Sequence, residues 1–274
     1  MTITTEDGVV NALANNSSHM VVDKASISNT AAGQPTSMWR ATGVPGQGAI
    51  PTTAAIPTRA TTGAVGFAAQ TAPATSYLGW MRAATSNAAT TVEIHDRVAH
   101  MGGLSGTVAT AQSASIDVGS AGLNLPADRR GDTNFSDLQW WLEVYTDLGA
   151  TGVNATVAVT YDDGSTGNLA AIAMGATPRA GRLYRLVPAV AGRFIRAVNT
   201  VTLSATTGTA GNFGVTCTRP RTGVDSIVAN KAEPYDWRML GLPELPNDTC
   251  LQFIVFPSTT STGTVRAQGK IAHG

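Results

Sequence analysis

Residues 153–174, VNATVAVTYDDGSTGNLAAIAM, decide the fold class. Over the first nine positions Val153, Ala155, Val157, Val159 and Tyr161 fall on one side and Asn154, Thr156, Ala158 and Thr160 on the other. A period of two with one apolar face is the pattern of a half-buried strand. The run Asp162-Asp163-Gly164-Ser165-Thr166-Gly167 then supplies turn chemistry, and NLAAIAM leads the chain back, so the stretch predicts a hairpin.

Working outward, TTVEIHDRV (90–98), DLQWWLEVY (137–145), GRFIRAVNTVTLS (192–204) and GNFGVTCT (211–218) repeat the alternation between Gly-, Asp- and Asn-rich turns. CLQFIVF (250–256) is apolar on both faces, which predicts a strand covered on each side. No long amphipathic helix is evident. The expectation is an all-β chain, an antiparallel β-sandwich of jelly-roll type.

The first 75 residues read differently. Pro35, Pro45, Pro51, Pro57 and Pro73 are spaced through small residues, and each removes a backbone donor and biases its predecessor toward extended geometry. A long extended N-terminal arm over 1–75 is expected, with Trp39, Phe67, Tyr77 and Trp80 as its anchors or their near neighbours. The sandwich then covers 76–224, and 225–274 completes it or docks beside it.

At 274 residues the chain is long enough for a sizeable core. Charged residues are only 13%, with 18 basic and 18 acidic side chains in balance, and Lys occurs only at 24, 231 and 270. That composition excludes a coiled coil, a charge-driven disordered chain and a globally basic nucleic-acid binder. No run of 18 apolar residues is present, so no membrane-spanning helix is expected, and MTITTEDGVV lacks the pattern of a secretory signal. Cys217 and Cys250 are too few for a disulfide framework or a zinc site, and each reads as a small buried hydrophobe.

Charge is segregated along the chain. Residues 117–163 hold eight acids against Arg129 and Arg130, whereas Arg179, Arg182, Arg185, Arg193, Arg196, Arg219 and Arg221 follow with no acid between Asp163 and Asp225. Two arrangements satisfy this pattern: complementary surfaces that meet between molecules, or pairing within one sandwich. Trp140 and Trp141 are adjacent on a strand, so one is expected to face inward and the other outward, as a subunit contact or a sugar platform. The candidate contact surface is Trp39, Arg40, Trp80, Trp140, Trp141, Arg179, Arg182, Arg185, Arg193 and Arg196.

Signs of chemistry are weak. His95, Asp96 and His100 invite a metal or general-base reading, but strand alternation puts His95 and Asp96 on opposite faces. Asp162-Asp163-Gly164-Ser165 lacks the ligand spacing and closing Glu of a calcium loop. Gly46-Gln47-Gly48 has no strand–helix context for a phosphate cradle. No catalytic residue, metal or cofactor is expected, and the chain does not read as an enzyme.

The segments SMWRATGVPGQGAIPTTAA (37–55), TAPATSYLGW (71–80), EIHDRVAHMGGLSGTV (93–108), FSDLQWWLEVYTDLGATGVNATVAVTYDDGSTGNL (135–169), LGLPELPND (240–248) and TSTGTVRAQGKIAHG (260–274) carry a resemblance. From about residue 37 to the end, the chain resembles a group of virion structural proteins of tailed bacteriophages. The resemblance implies a part of the particle, assembled in the bacterial cytoplasm, and brings no catalytic residues. Without a long helix the chain does not suit the major capsid shell fold. A head decoration (cement) protein is therefore the first expectation, with the major capsid protein, other virion proteins and copies of itself as partners. A tail or fibre component is the second and a carbohydrate-binding sandwich the third; neither a membrane nor direct nucleic-acid contact is expected. On this view, removing residues 1–75 leaves a folded sandwich that no longer joins particles.

Overall fold

A computed structural model describes residues 3–28 and 30–274; Met1, Thr2 and Asn29, all within the expected arm, lie outside the described residues. The chain is an antiparallel all-β protein with sandwich architecture. In order it runs α1 (Glu6–Asn15), β1 (Ser17–Lys24), β2 (Thr36–Ser37), a 3-10 turn at Met38–Arg40, β3 (Gly43–Val44), β4 (Ser76–Thr85), β5 (Thr90–Leu104) and β6 (Gln112–Asp117). Next come α2 (Ala127–Arg130), β7 (Gln139–Thr146), β8 (Val153–Tyr161), β9 (Thr166–Asn168), β10 (Ile172–Gly175), β11 (Leu183–Leu186) and β12 (Ile195–Leu203). It closes with β13 (Asn212–Ser226), β14 (Glu233–Asp236), α3 (Trp237–Leu240), β15 (Glu244–Leu245), β16 (Leu251–Phe256) and β17 (Val265–His273).

The five long alternating runs all form strands, and the hairpin forms as expected, with β9 paired antiparallel to β8. Its turn is closed by Asp163, whose Oδ1 accepts from Ser165 N at 2.9 Å and Ser165 Oγ at 2.6 Å, with Gly164 at φ +87°. These bonds to the ionised oxygen hold the Asp163 carboxyl below the usual carboxylate range. Val153, Ala155, Val157, Val159 and Tyr161 are all buried.

The division of the chain differs from the expected arm, sandwich and C-terminal addition. There are two compact units: one from residues 1–48, 58–96 and 221–274, the other from 49–57 and 97–220. Each has its own apolar core. The first unit holds a sheet of order β14-β4-β17-β1-β3, with β15 also on β4. Met20 and Val22 of β1, Leu78 and Met81 of β4 and Ile271 of β17 share a core with Val92 and Ile94 of β5 and Leu251, Phe253 and Val255 of β16. The second unit holds a sheet of order β10-β8-β12-β6, with β9 on β8, whose Val157, Val159 and Val201 share a core with Leu142 and Val144 of β7 and Phe213 and Val215 of β13. A third sheet has the order β11-β7-β13-β5-β16-β2.

Residues 1–75 are thus only partly an extended arm. From 45 to 75 the chain has no helix and no named strand, as the prolines dictate. Residues 6–24 instead form α1 and β1, and β1 lies between β17 and β3, running from Ser17 opposite Ala272 to Lys24 opposite Val265. The reason is non-local. SSHMVVDK alternates correctly, with Met20 and Val22 inward and Val21 and Asp23 outward, but its partner lies about 250 residues further along the chain. The helix was also legible: the Thr5 side chain caps it by accepting from Gly8 N at 3.1 Å, and Glu6 and Asp7 occupy the first turn. Gly8, Asn11 and Asn15 dilute that signal.

Trp39 and Arg40 are built into the first unit and do not form a contact surface. The Trp39 indole is 1% exposed, and a Cβ on Gly48 would collide with it. Arg40 donates to the Gly48 carbonyl and so fastens the same loop. Beneath it Lys24 Nζ donates to Ala41 O at 3.1 Å, Pro45 O at 2.6 Å and Gly46 O at 3.3 Å. Burial of this ammonium against carbonyls lowers its pKa to about 8.

Candidate functional site

The opposed charge blocks are satisfied inside the second unit. Arg179 pairs with Asp147, Arg193 with Asp163 at 2.7 Å and Asp162 at 3.6 Å, Arg196 with Asp117 at 3.3 Å, and Arg219 with Asp137 at 3.0 Å. Each arginine meets an acid presented by a neighbouring strand or turn of the same sheet framework. The intramolecular arrangement therefore accounts for the charges of Arg179, Arg193 and Arg196, whose side chains stay 33%, 40% and 26% exposed. Arg185 stays exposed and stacks on Trp141, with its guanidinium carbon 4.9 Å from the ring centroid. Arg182 is half-buried beside the Tyr184 hydroxyl.

Neither Trp140 nor Trp141 presents an open ring, which corrects the expectation that one of them faces outward. They are 2% and 4% exposed, because both faces of β7 are covered. Trp140 Nε1 donates to Ile195 O at 2.8 Å and Trp141 Nε1 to Thr218 Oγ1 at 2.9 Å, so each indole also spends its one donor internally.

The residues that could carry chemistry are mostly structural struts. His95 is buried with Nε2 2.8 Å from Glu93 Oε2. Asp96 accepts from Cys250 N at 2.9 Å and from Arg221 at 3.3 Å. Alternation separates the two, and among the described residues no group of three or more His, Cys, Asp and Glu could hold a metal ion. Cys217 and Cys250 are both buried and are not joined by a disulfide.

The most polar part of the second unit was not anticipated. Arg97 is fully buried, with Nη2 2.6 Å from Glu143 Oε2, 2.7 Å from the Tyr145 hydroxyl and 3.0 Å from Thr216 Oγ1. Thr216 also donates to Glu143, whose Oε1 has no hydrogen-bond partner among the described residues. Burial, with the Glu143 charge beside it, pushes the Tyr145 hydroxyl above its ordinary pKa. Arg97 Nε donates to His100 Nδ1 at 2.9 Å, and Arg129 ties the cluster to the backbone through Arg97 O at 3.0 Å and Pro57 O at 2.9 Å. The sequence shows these charges only as outward positions of alternating strands; nothing local says that the strands carrying them are covered on both faces.

Burial, and then the Arg97 charge, lower the His100 pKa to about 2 from an ordinary 6.5. The folded imidazole therefore stays neutral while the unfolded one binds a proton below pH 6.5. Stability of the second unit is fully present above that pH and is lost as pH falls toward 2, by about 1.4 kcal/mol per pH unit from this group. Urea unfolding at pH 7 and pH 5 should show a loss of about 2 kcal/mol that His100→Asn removes. An equal acid sensitivity in the variant would contradict the assignment.

Trp80 does lie at the surface, on the outer face of the first unit's sheet. Cross-strand register places it in a row with Asp236 of β14, Lys270 of β17 and His19 of β1. The next row along holds Pro234, Arg82, Gln268 and Val21, and the third Ala84, Arg266 and Asp23. A hollow of about 340 Å³ sits on the first row, lined by Leu13, Gly79, Trp80, Asp236, Trp237 and Lys270. Gly79 lets Leu13 of α1 pack close at the floor, where a Cβ would come 2.8 Å from a Leu13 methyl and make that side chain shift. Sequence reading missed Trp237 and Asp236 because they stand in a Pro- and acid-rich stretch that reads as loop; the available signal was an Asp immediately before a short helical turn.

No family model matches the chain, and no curated protein matches it. Among solved structures, a mutant VP2 protein of infectious bursal disease virus in derived T=1 particles aligns with 94% of this chain and 77% of its own, at 9% identity and a TM-score of 0.18. The VP2 subviral particle of the same virus aligns at 9% identity and a TM-score of 0.17, over 94% of this chain and 79% of its own. Likenesses at these scores carry no argument about fold or role.

Proposed function

We propose that the chain is a structural protein of a tailed-bacteriophage virion, sited on the head as a decoration protein that binds the major capsid protein and copies of itself. The observation that carries this reading is how the polar residues are spent. His95, Asp96, His100 and Glu143 are locked into contacts within their own sandwiches, and the arginine block is largely matched at home. Outside, apolar side chains stand exposed at loops, among them Val187, Val190, Ile227 and Val228. Such tips suit burial by neighbouring subunits, whose contact cores are depleted of charge.

Purified particles separated into heads and tails test this. The chain is expected to co-sediment with heads, and heads lacking it should release DNA at a lower temperature. Recovery with tails alone would make it a tail component, and absence from both would overturn the reading.

A further inference from the structure

We propose that the outer face of the β14-β4-β17-β1 strands binds a polysaccharide, with one sugar ring seated in the hollow between Trp80 and Trp237. The inference is independent of any place in a particle.

The hollow joins the two features that sugar recognition needs. Indole faces accept the C–H face of a pyranose, burying apolar surface at low entropic cost. The hydroxyl edge needs acceptors and donors at the rim. Asp236 supplies an acceptor: its Oδ1 caps α3 by accepting from Arg238 N and Met239 N, both at 3.0 Å, which leaves Oδ2 for a ligand. Lys270 supplies donors, since Nζ gives one proton to Leu13 O at 2.8 Å and keeps the others. The volume, about 340 Å³, falls in the range of small-ligand sites.

Charge narrows the class. Lys270 and Asp236 both line the hollow, whereas Arg238, whose guanidinium carbon is 4.8 Å from the Trp237 ring centroid, is paired with Glu6 at 3.0 Å and is not part of the lining. An anionic guest would meet Asp236 and a cationic one Lys270, so the hollow favours neither charge. A plain apolar guest would strip water from Asp236 Oδ2 and from the remaining Lys270 protons without replacing it. A polyhydroxylated ring satisfies all of them.

The neighbouring rows say that the ligand is a chain. A second hollow of about 310 Å³ lies on the same face, lined by Val21, Asp23, Arg82, Arg266 and Gln268 among others. Here Arg82 Nε donates to Gln268 Oε1 at 3.1 Å, joining an amide and a guanidinium on the exposed face. The rows succeed one another about 7 Å apart, two residues along a strand. A saccharide that stacks on the tryptophans and continues along β4 and β17 meets hydrogen-bonding side chains at each step.

The test uses the full-length protein and a panel of bacterial surface polysaccharides with their tri- and tetrasaccharide fragments, read by tryptophan fluorescence and calorimetry. At least one member is expected to bind saturably, more tightly as the fragment lengthens. Trp237→Ala should weaken that binding by about tenfold or more, the loss of one stacking contact. Asp236→Asn keeps the helix cap, because Asn caps as well as Asp, and should weaken binding severalfold with an unchanged melting temperature. Failure of every panel member to bind would overturn the proposal, as would unaltered affinity in Asp236→Asn and Trp237→Ala. Neither result bears on whether the chain sediments with heads.

Discussion

Replacing Arg97 by methionine should destabilise the second unit by about 3–5 kcal/mol, the cost of stripping one partner from a buried ion pair. Glu143 would keep the Thr216 hydroxyl but lose the guanidinium 2.6 Å away, in a site where neither side chain is exposed. Tyr145 and His100 would lose their donors in the same step. Since a domain's whole stability is about 5–15 kcal/mol, the variant should be partly unfolded at modest temperature. Denaturant unfolding of the variant measures this. The double variant Arg97→Met with Glu143→Leu should recover much of the loss, because a matched apolar pair leaves no orphaned charge. A single-variant loss below about 1 kcal/mol, or no recovery in the double variant, would contradict the assignment of this pair as the second unit's strut.

Deletion of residues 1–24 should have an effect of similar size on the first unit. β1 makes eight register pairs with β17, and its removal would leave β17 and β3 without their shared neighbour. It would also uncover the site that Met20 and Val22 fill, each worth about 1.5–3 kcal/mol of burial. The truncated chain is expected to be insoluble or rapidly cleaved within 58–96 and 221–274 while 97–220 stays protected. An unchanged melting profile and protection of both regions would restore the free-arm description of these residues.

The contrast between these two cases shows what the sequence discloses. The alternation in 153–161 and the two apolar faces of 250–256 are local signals, so strand identity and even the double burial of β16 could be read directly. The partner of β1 could not, because a two-residue period says that a strand has two faces and not which distant strand covers them. The same limit explains Trp141. Its outward position follows from the pleat, whereas its burial depends on neighbours that include Arg185 on the adjacent strand β11. Charge segregation between 117–163 and 179–221 was visible in composition, yet pairing at home or abroad is decided by where β6, β7 and β12 lie. Of the candidate surface, Trp80 stays in place and gains Trp237 and Asp236 as neighbours through β14, whose pairing with β4 no local pattern announces.

Whether the chain belongs to a virion is tested most directly by cryo-electron microscopy of intact phage particles at a resolution that separates strands. The account predicts density for two β-sandwich units repeated over the outside of the icosahedral shell, with exposed loops such as 187–190 and 227–228 buried against capsid subunits. Particles whose shell and tail are both fully explained by other chains would contradict it.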